Sequence, residues 1–166
     1  MGSTGDTRPG VLFLCTGNSA RSILAEAILT REAGGRLAAH SAGSHPVGRV
    51  NPYALALLAE RGHETVGFAS KNRDRFAEAD APRIDAVITV CDAAAGETCP
   101  IWPGNPSRAH WGLPDPAAET DPDAARLAFA RTYDALSQRI GALLARLGDG
   151  GDAAALRAAL AAESAA

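Results

Sequence analysis

Apolar and polar positions follow two rhythms along the chain. Val11-Leu12-Phe13-Leu14 is a short unbroken apolar run, the pattern of a strand buried on both faces, and it stops at Cys15. From Ala20 the period lengthens: Ile23, Leu24, Ala27, Ile28 and Arg31 recur at helical spacing until Gly34-Gly35. Residues 37–42 predict a second strand, ended by Gly43-Ser44-His45-Pro46. Asn51-Pro52 reads as a helix cap followed by proline at the first helical position, with Ala54, Leu55, Leu57 and Leu58 behind it and Gly62 at the end. Residues 70–81 are polar, with a weak helical pattern around Phe76. Residues 84–90 predict another buried strand, which also runs into a cysteine, Cys91. The Pro-, Gly- and small-residue-rich stretch 92–116 predicts a long functional loop, with a short strand near 109–111. Residues 121–147 predict a long helix with Asp123 in its first turn and a core stripe of Leu127, Tyr133, Leu136, Ile140, Leu143 and Leu144. After the break Gly148-Asp149-Gly150-Gly151, residues 152–166 predict a peripheral helix that frays.

Strands alternating with helices predict an α/β domain with a mostly parallel sheet and right-handed crossovers. In such sheets the chemistry lies beyond the carboxyl ends of the strands, where strand order reverses. Two predicted strands ending in cysteine are therefore the first functional clue. A length of 166 residues suits one domain, assigned to residues 10–147, with an arm (1–9) and a tail (148–166). The hydrophobic share of 46% excludes a wholly disordered chain, and no apolar stretch approaches the ~18 residues of a membrane span. With 16 Lys and Arg against 19 Asp and Glu, and aromatics at 5%, neither a basic patch nor a base-stacking platform is indicated, so no nucleic-acid partner is expected. Three cysteines are too few for a secreted disulfide scaffold, and the polar residues 1–10 lack an apolar signal core, so a cytoplasmic protein is expected.

Cys15-Thr16-Gly17-Asn18-Ser19-Ala20-Arg21-Ser22 joins the first strand to a helix N-terminus. A loop in that position turns backbone N–H groups and a positive dipole end toward its centre. Gly17 and Asn18 tolerate the left-handed turn such a nest requires, and the Arg21 fork suits two oxygens of a tetrahedral oxyanion. The same field favours a Cys15 thiolate, to which Ser22 can donate. The unit predicts a nucleophile placed against a bound phosphate-like anion.

The pattern Cys-x5-Arg-Ser after an apolar strand resembles the signature of the low-molecular-weight protein tyrosine phosphatases and of the arsenate reductases built on the same fold. Thr89-Val90-Cys91-Asp92, Glu97-Thr98-Cys99-Pro100, His110-Trp111-Gly112 and Asp115-Pro116-Ala117 are similar to the arsenate reductase branch, the one usually coupled to thioredoxin. The resemblance runs from about Val11 to Leu147. It implies a flavodoxin-like three-layer domain with a four-stranded parallel sheet. It also implies arsenate as substrate, thioredoxin or glutaredoxin with glutathione as electron donor, and no tightly bound cofactor.

Cys15 and Cys91 can join only if their strands are neighbours, because a disulfide needs Cα atoms within about 4.4–6.8 Å. Cys99 follows the small-residue segment Ala93-Ala94-Ala95-Gly96, which gives it reach to exchange with Cys91. Zinc is disfavoured by the spacing of Cys91 and Cys99, and burial as small core residues is the plainer alternative. The gap between these two cysteines is one residue longer than in the best-known thioredoxin-coupled members, which opens the route to glutaredoxin. In the resembled family the Asp of Asp-Pro is the general acid, which implies that role for Asp115, although Asp-Pro is also common in plain turns. Ala117-Ala118 stands where the phosphatases carry an aromatic grip for aryl phosphates, which favours a small inorganic substrate. Some members hold a potassium ion that steadies the loop, and the matching positions are Asn18, Glu26, Ser41 and Asp74. A phosphatase acting through Cys15, Arg21 and Asp115 is the alternative enzyme, and an oxyanion-binding thiol sensor the alternative to an enzyme.

Overall fold

The structure is a computed structural model that describes residues 7–91, 102, 105–149 and 151–165. Four parallel strands form one sheet: β1 (Gly10–Cys15), β2 (Ala38–Gly43), β3 (Ala86–Thr89) and β4 (Ser107–His110), in the order β2-β1-β3-β4. Among the described residues four α-helices accompany them: α1 (Arg21–Ala33), α2 (Pro52–Glu60), α3 (Pro122–Leu147) and α4 (Ala153–Ala165). The α/β class and the four-stranded parallel sheet expected from the sequence are what the chain adopts. Order reverses between β1 and β3, so the crevice that such sheets use lies beyond Cys15 and Cys91.

Strand β1 is central because every side chain in it is apolar and both faces find partners. Val11, Leu12 and Phe13 have no exposed surface. Burying each such side chain contributes about 1.5–3 kcal/mol, which concentrates the sheet's cohesion here. Val11 and Phe13 face a large core with α1, α3 and Trp111, whereas Leu12 and Leu14 face a smaller one with Phe76, Ile84, Val87 and Trp102. Helix α1 stops at Gly34, whose φ of 59° is the left-handed value glycine adopts freely; its N–H donates to Arg31 O. Helices α2 and α3 start on side-chain caps: Asn51 Oδ1 accepts from Tyr53 N–H and Asp121 Oδ2 from Ala124 N–H.

Three expectations are corrected. Leu127 is half exposed; the expected Tyr133, Leu136, Ile140, Leu143 and Leu144 are buried and are joined by Ala125, Phe129, Thr132 and Leu147. Leu127 lies two residues, about 200° of turn, beyond Ala125, on the opposite face. The weak helical pattern of residues 70–81 yields only a 3-10 turn, Arg73–Ala77, which buries Phe76. The tail is no fraying periphery: α4 inserts Leu156, Ala159 and Leu160 into the main core. It is pinned there by Glu163, whose carboxylate accepts from Trp111 Nε1 (3.1 Å) and Arg139 Nη1 (3.2 Å).

Removing that carboxylate strands the buried indole N–H, since Trp111 is 1% exposed. Glu163→Ala is therefore expected to destabilise the protein by about 2–3 kcal/mol in urea unfolding. A loss under 0.5 kcal/mol would mean that α4 docks without it.

Candidate active site

The anion loop closes the step from β1 to α1, and its carbonyl groups are turned outward. Thr16 O accepts from His45 N–H (2.9 Å), Gly17 O from Val47 N–H (3.1 Å) and Ser70 Oγ (3.0 Å), and Ser19 O from Asn51 N–H (2.8 Å). Carbonyls facing the wall leave the intervening N–H groups facing the loop's interior, which is the geometry of an anion nest. Asn18 makes the turn possible with a φ of 47° and is fully buried. Its Nδ2 donates to Ser22 Oγ (2.9 Å) and its Oδ1 accepts from Lys71 N–H (2.7 Å). Because Ser22 Oγ accepts from Asn18, its own proton remains available to another acceptor. Ala20 caps α1 with no side-chain bond, so the first helical N–H groups are left for a ligand.

Arg21 leans over this loop. Its Nη1 donates to Leu113 O (2.7 Å), Nη2 lies 3.9 Å from Asp115 Oδ1, and Nε is buried with no acceptor among the described residues. A buried guanidinium N–H without an acceptor is costly unless a ligand oxygen takes it. Asp115 is about half exposed; its Oδ1 accepts from Ala117 N–H (3.0 Å), so it caps the turn Pro116–Ala118 and borders Arg21 at once. Ala117 and Ala118 are exposed and place no aromatic wall beside the loop.

Cys91 completes the site. Leu14 pairs with Thr89, and Val90 N–H donates to Leu14 O (2.9 Å), so the ends of β1 and β3 stand side by side. The chain leaves the strand at Val90 and bends at Cys91, which frees that side chain from strand alternation. Its sulfur is in hydrogen-bond contact with Cys15 and lies 3.6 Å from Thr16 Oγ1. The Cys91 contact first, and then burial, push the Cys15 thiol up, while the Arg21 charge and the Thr16 N–H pull it down. Cys99, the third predicted cysteine, lies outside the described residues.

The structure joins Ser41 to Glu26 directly and Asn18 to that pair through Lys71, but leaves Asp74 exposed on the 3-10 turn. Ser41 Oγ donates to Glu26 Oε1 (2.5 Å), and the Lys71 ammonium lies 3.9 Å from the same oxygen. A set that already contains a cation and a hydrogen-bonded amide oxygen does not fit a potassium ion. Lys71 and Gly43 are the residues that the sequence reading missed. A Cβ on Gly43 would lie 2.4 Å from Thr16 O and 3.0 Å from Asn18 N, so the loop rests on bare backbone at the end of β2. A glycine closing a predicted strand beside a phosphate-type loop was the available signal.

The pattern that defines the low molecular weight phosphotyrosine protein phosphatases matches residues 10–153, and the chain belongs to that family. Within it, the chain is 36% identical over 131 residues to an arsenate reductase of Halalkalibacterium halodurans, an alignment covering 78% of this chain and 91% of that protein. It is 33% identical to an arsenate reductase of Bacillus subtilis with the same coverage. Among solved structures, an arsenate reductase in the phosphate-binding state superposes with a TM-score of 0.66 at 28% identity, covering 84% of this chain and 99% of the other. A thioredoxin-dependent arsenate reductase of Corynebacterium glutamicum gives a TM-score of 0.57 at 29% identity, covering 83% of this chain and 64% of that one. Helix α4 lies almost wholly beyond the family match. No helix among the described residues is long and apolar enough to cross a membrane.

Proposed function

We infer that the protein is an arsenate reductase that works by a thiol relay. The observation that carries this reading is the second buried thiol, Cys91, in contact with the nucleophile of an oxyanion loop; ester hydrolysis needs no such group. The named relatives favour the same activity. In the proposed cycle the loop N–H groups and Arg21 hold arsenate. The Cys15 thiolate attacks arsenic and an oxygen leaves as water, with Asp115 supplying a proton. Cys91, as thiolate, then attacks Cys15 Sγ; the S–As bond breaks and its electron pair stays on arsenic, which leaves as arsenite. One disulfide has formed and arsenic has gained two electrons. Cys99 exchanges into that disulfide to give Cys91–Cys99, which an external dithiol reduces. Thioredoxin is the donor named for the Corynebacterium neighbour, and glutaredoxin with glutathione is the other candidate. A cytoplasmic setting supplies both reductants and keeps three thiols reduced between turnovers.

Arsenate-dependent oxidation of a nicotinamide reporter, with the thioredoxin and glutaredoxin systems supplied in turn, tests this. The expected result is turnover with one system at least tenfold faster than with the other, and mass mapping of trapped protein should find Cys15–Cys91 before Cys91–Cys99. Turnover with neither system, alongside hydrolysis of aryl phosphates, would return the protein to the phosphatases.

A further inference from the structure

Behind the anion loop, Lys71 makes three separate ties. Its N–H donates to Asn18 Oδ1 (2.7 Å), its carbonyl accepts from Gly43 N–H (2.8 Å), and its ammonium donates to Ala69 O (2.8 Å) while lying 3.9 Å from Glu26 Oε1. Residue 72, next along, bridges to Gly43, so the segment that carries the lysine is fastened to the end of β2. Both charged side chains are largely withdrawn from solvent, 18% exposed for Lys71 and 17% for Glu26. Burial pushes the Glu26 carboxyl up, and the Ser41 hydroxyl and the Lys71 charge pull it back. A carboxylate so placed needs a positive partner, because an unpaired charge in such surroundings is far costlier than a paired one.

In the resembled proteins that hold potassium, the ion is the positive partner. Here three of the four corresponding residues are already engaged: Ser41 donates to Glu26, and Asn18 accepts from Lys71. The fourth, Asp74, is exposed, with its N–H tied to Asn72 Oδ1 (2.8 Å). A mobile cation entering this set would meet the ammonium as a like charge at contact range.

We propose that the Lys71 ammonium is the resident cation of this site, a tethered positive charge that neutralises Glu26, while the main-chain N–H of the same residue holds Asn18 in its left-handed turn. The loop then keeps its anion-binding shape without a bound metal ion. Lys71 is a positioning residue: its ammonium acts through Glu26 and its main-chain N–H through Asn18. The inference rests on the oxyanion site proposed above. Its readouts are binding and melting, so they report on the loop whether or not arsenate is turned over.

The test compares the full chain with Lys71→Met, which keeps the apolar stem and removes the charge, and with Lys71→Arg, which keeps a charge. Inorganic phosphate affinity is measured by calorimetry and melting temperature by scanning, with ionic strength held by potassium chloride or by tetramethylammonium chloride. The natural protein is expected to change its phosphate affinity by less than about twofold between the two salts, and Lys71→Arg likewise. Lys71→Met is expected to bind phosphate about tenfold more weakly without potassium. About 100 mM potassium should recover most of that loss and raise its melting temperature by a few degrees, since an ion bound only by the folded state stabilises it.

The proposal is overturned by a natural protein whose affinity rises severalfold with potassium, by Lys71→Met unchanged in potassium-free buffer, or by a loss that potassium does not repair. Where Lys71→Met is too unstable to purify, the Glu26→Gln, Lys71→Met pair carries the test. It is expected to fold and bind phosphate with no response to potassium, and a response there overturns the proposal. Failure of the natural protein to bind phosphate at all would count against the oxyanion reading, and the melting comparison would still decide the role of Lys71.

Discussion

Cys91→Ser is expected to end arsenate turnover, lowering the steady-state rate by about 10⁴-fold or more. A serine hydroxyl fits the space beside Cys15 and can still hydrogen-bond Thr16, whose Oγ1 lies 3.6 Å from the native sulfur. What it cannot do is attack a sulfur atom and leave a disulfide behind. Electrons would then have no route onto arsenic, and the cycle would stop at the Cys15–arsenic adduct. Hydrolysis of an aryl phosphate needs only the loop, Cys15, Arg21 and an acid, so a slow esterase activity should remain measurable in the same preparation. Arsenite quantified by chromatography after single and multiple turnovers separates the two activities. Multiple turnover by Cys91→Ser within tenfold of the natural enzyme would assign the second thiol's work elsewhere and remove the contact on which the reductase reading stands.

The second large effect belongs to Arg21→Lys. The substitution keeps the charge and discards the fork, and the structure uses the fork three ways. Nη1 holds Leu113 O at 2.7 Å, Nη2 borders Asp115, and Nε is buried without an acceptor among the described residues, left for a ligand oxygen. A lysine ammonium is a point charge that can satisfy one of these partners at a time. The expected loss is about 10²–10³-fold in kcat/KM, the usual scale for removing a preorganised donor from a charge-developing site. The decisive measurement is the split between parameters. Phosphate affinity should fall by about tenfold, reflecting the lost bidentate grip, and kcat should fall further because the loop that carries Asp115 loses its tie to Arg21. A variant that only raises KM would make Arg21 a binding group and leave the placement of Asp115 to the Pro116–Ala118 turn.

These expectations draw unequally on what could be read from the chain. Cys15, Arg21 and the loop between them were legible because they are consecutive, and a strand running into a Gly-Asn turn and then a helix has few ways to arrange its backbone. The caps at Asn51 and Asp121 were legible for the same reason. Leu127 misled because periodicity locates a stripe only to within a residue or two, and α3 chose the face that could bury Phe129 and Tyr133. Cys91 was legible as a chemical type, but its meeting with Cys15 depended on β1 and β3 being neighbours and on the bend after Val90. Lys71 gave no signal at all. It sits in a polar segment with only a weak helical pattern, and only the folded chain sets its backbone against Asn18 and its ammonium beside Glu26. The carboxylate of Glu163 was hidden in an Ala-rich tail whose docking partner, Trp111, comes from the end of β4.

By itself the sequence determined the strand–loop–helix unit that cradles an oxyanion against a thiol. Torsional preference at Gly17 and Asn18 admits that shape, and tethers from His45, Val47, Asn51, Ser70 and Lys71 then hold it. Tertiary structure alone decided which second sulfur reaches the first, which cation stands behind the loop, and which helix end braces the strand beyond. Those pairings join segments far apart along the chain. They exist because burying both faces of β1 imposes one strand order, and that order carries distant side chains into contact.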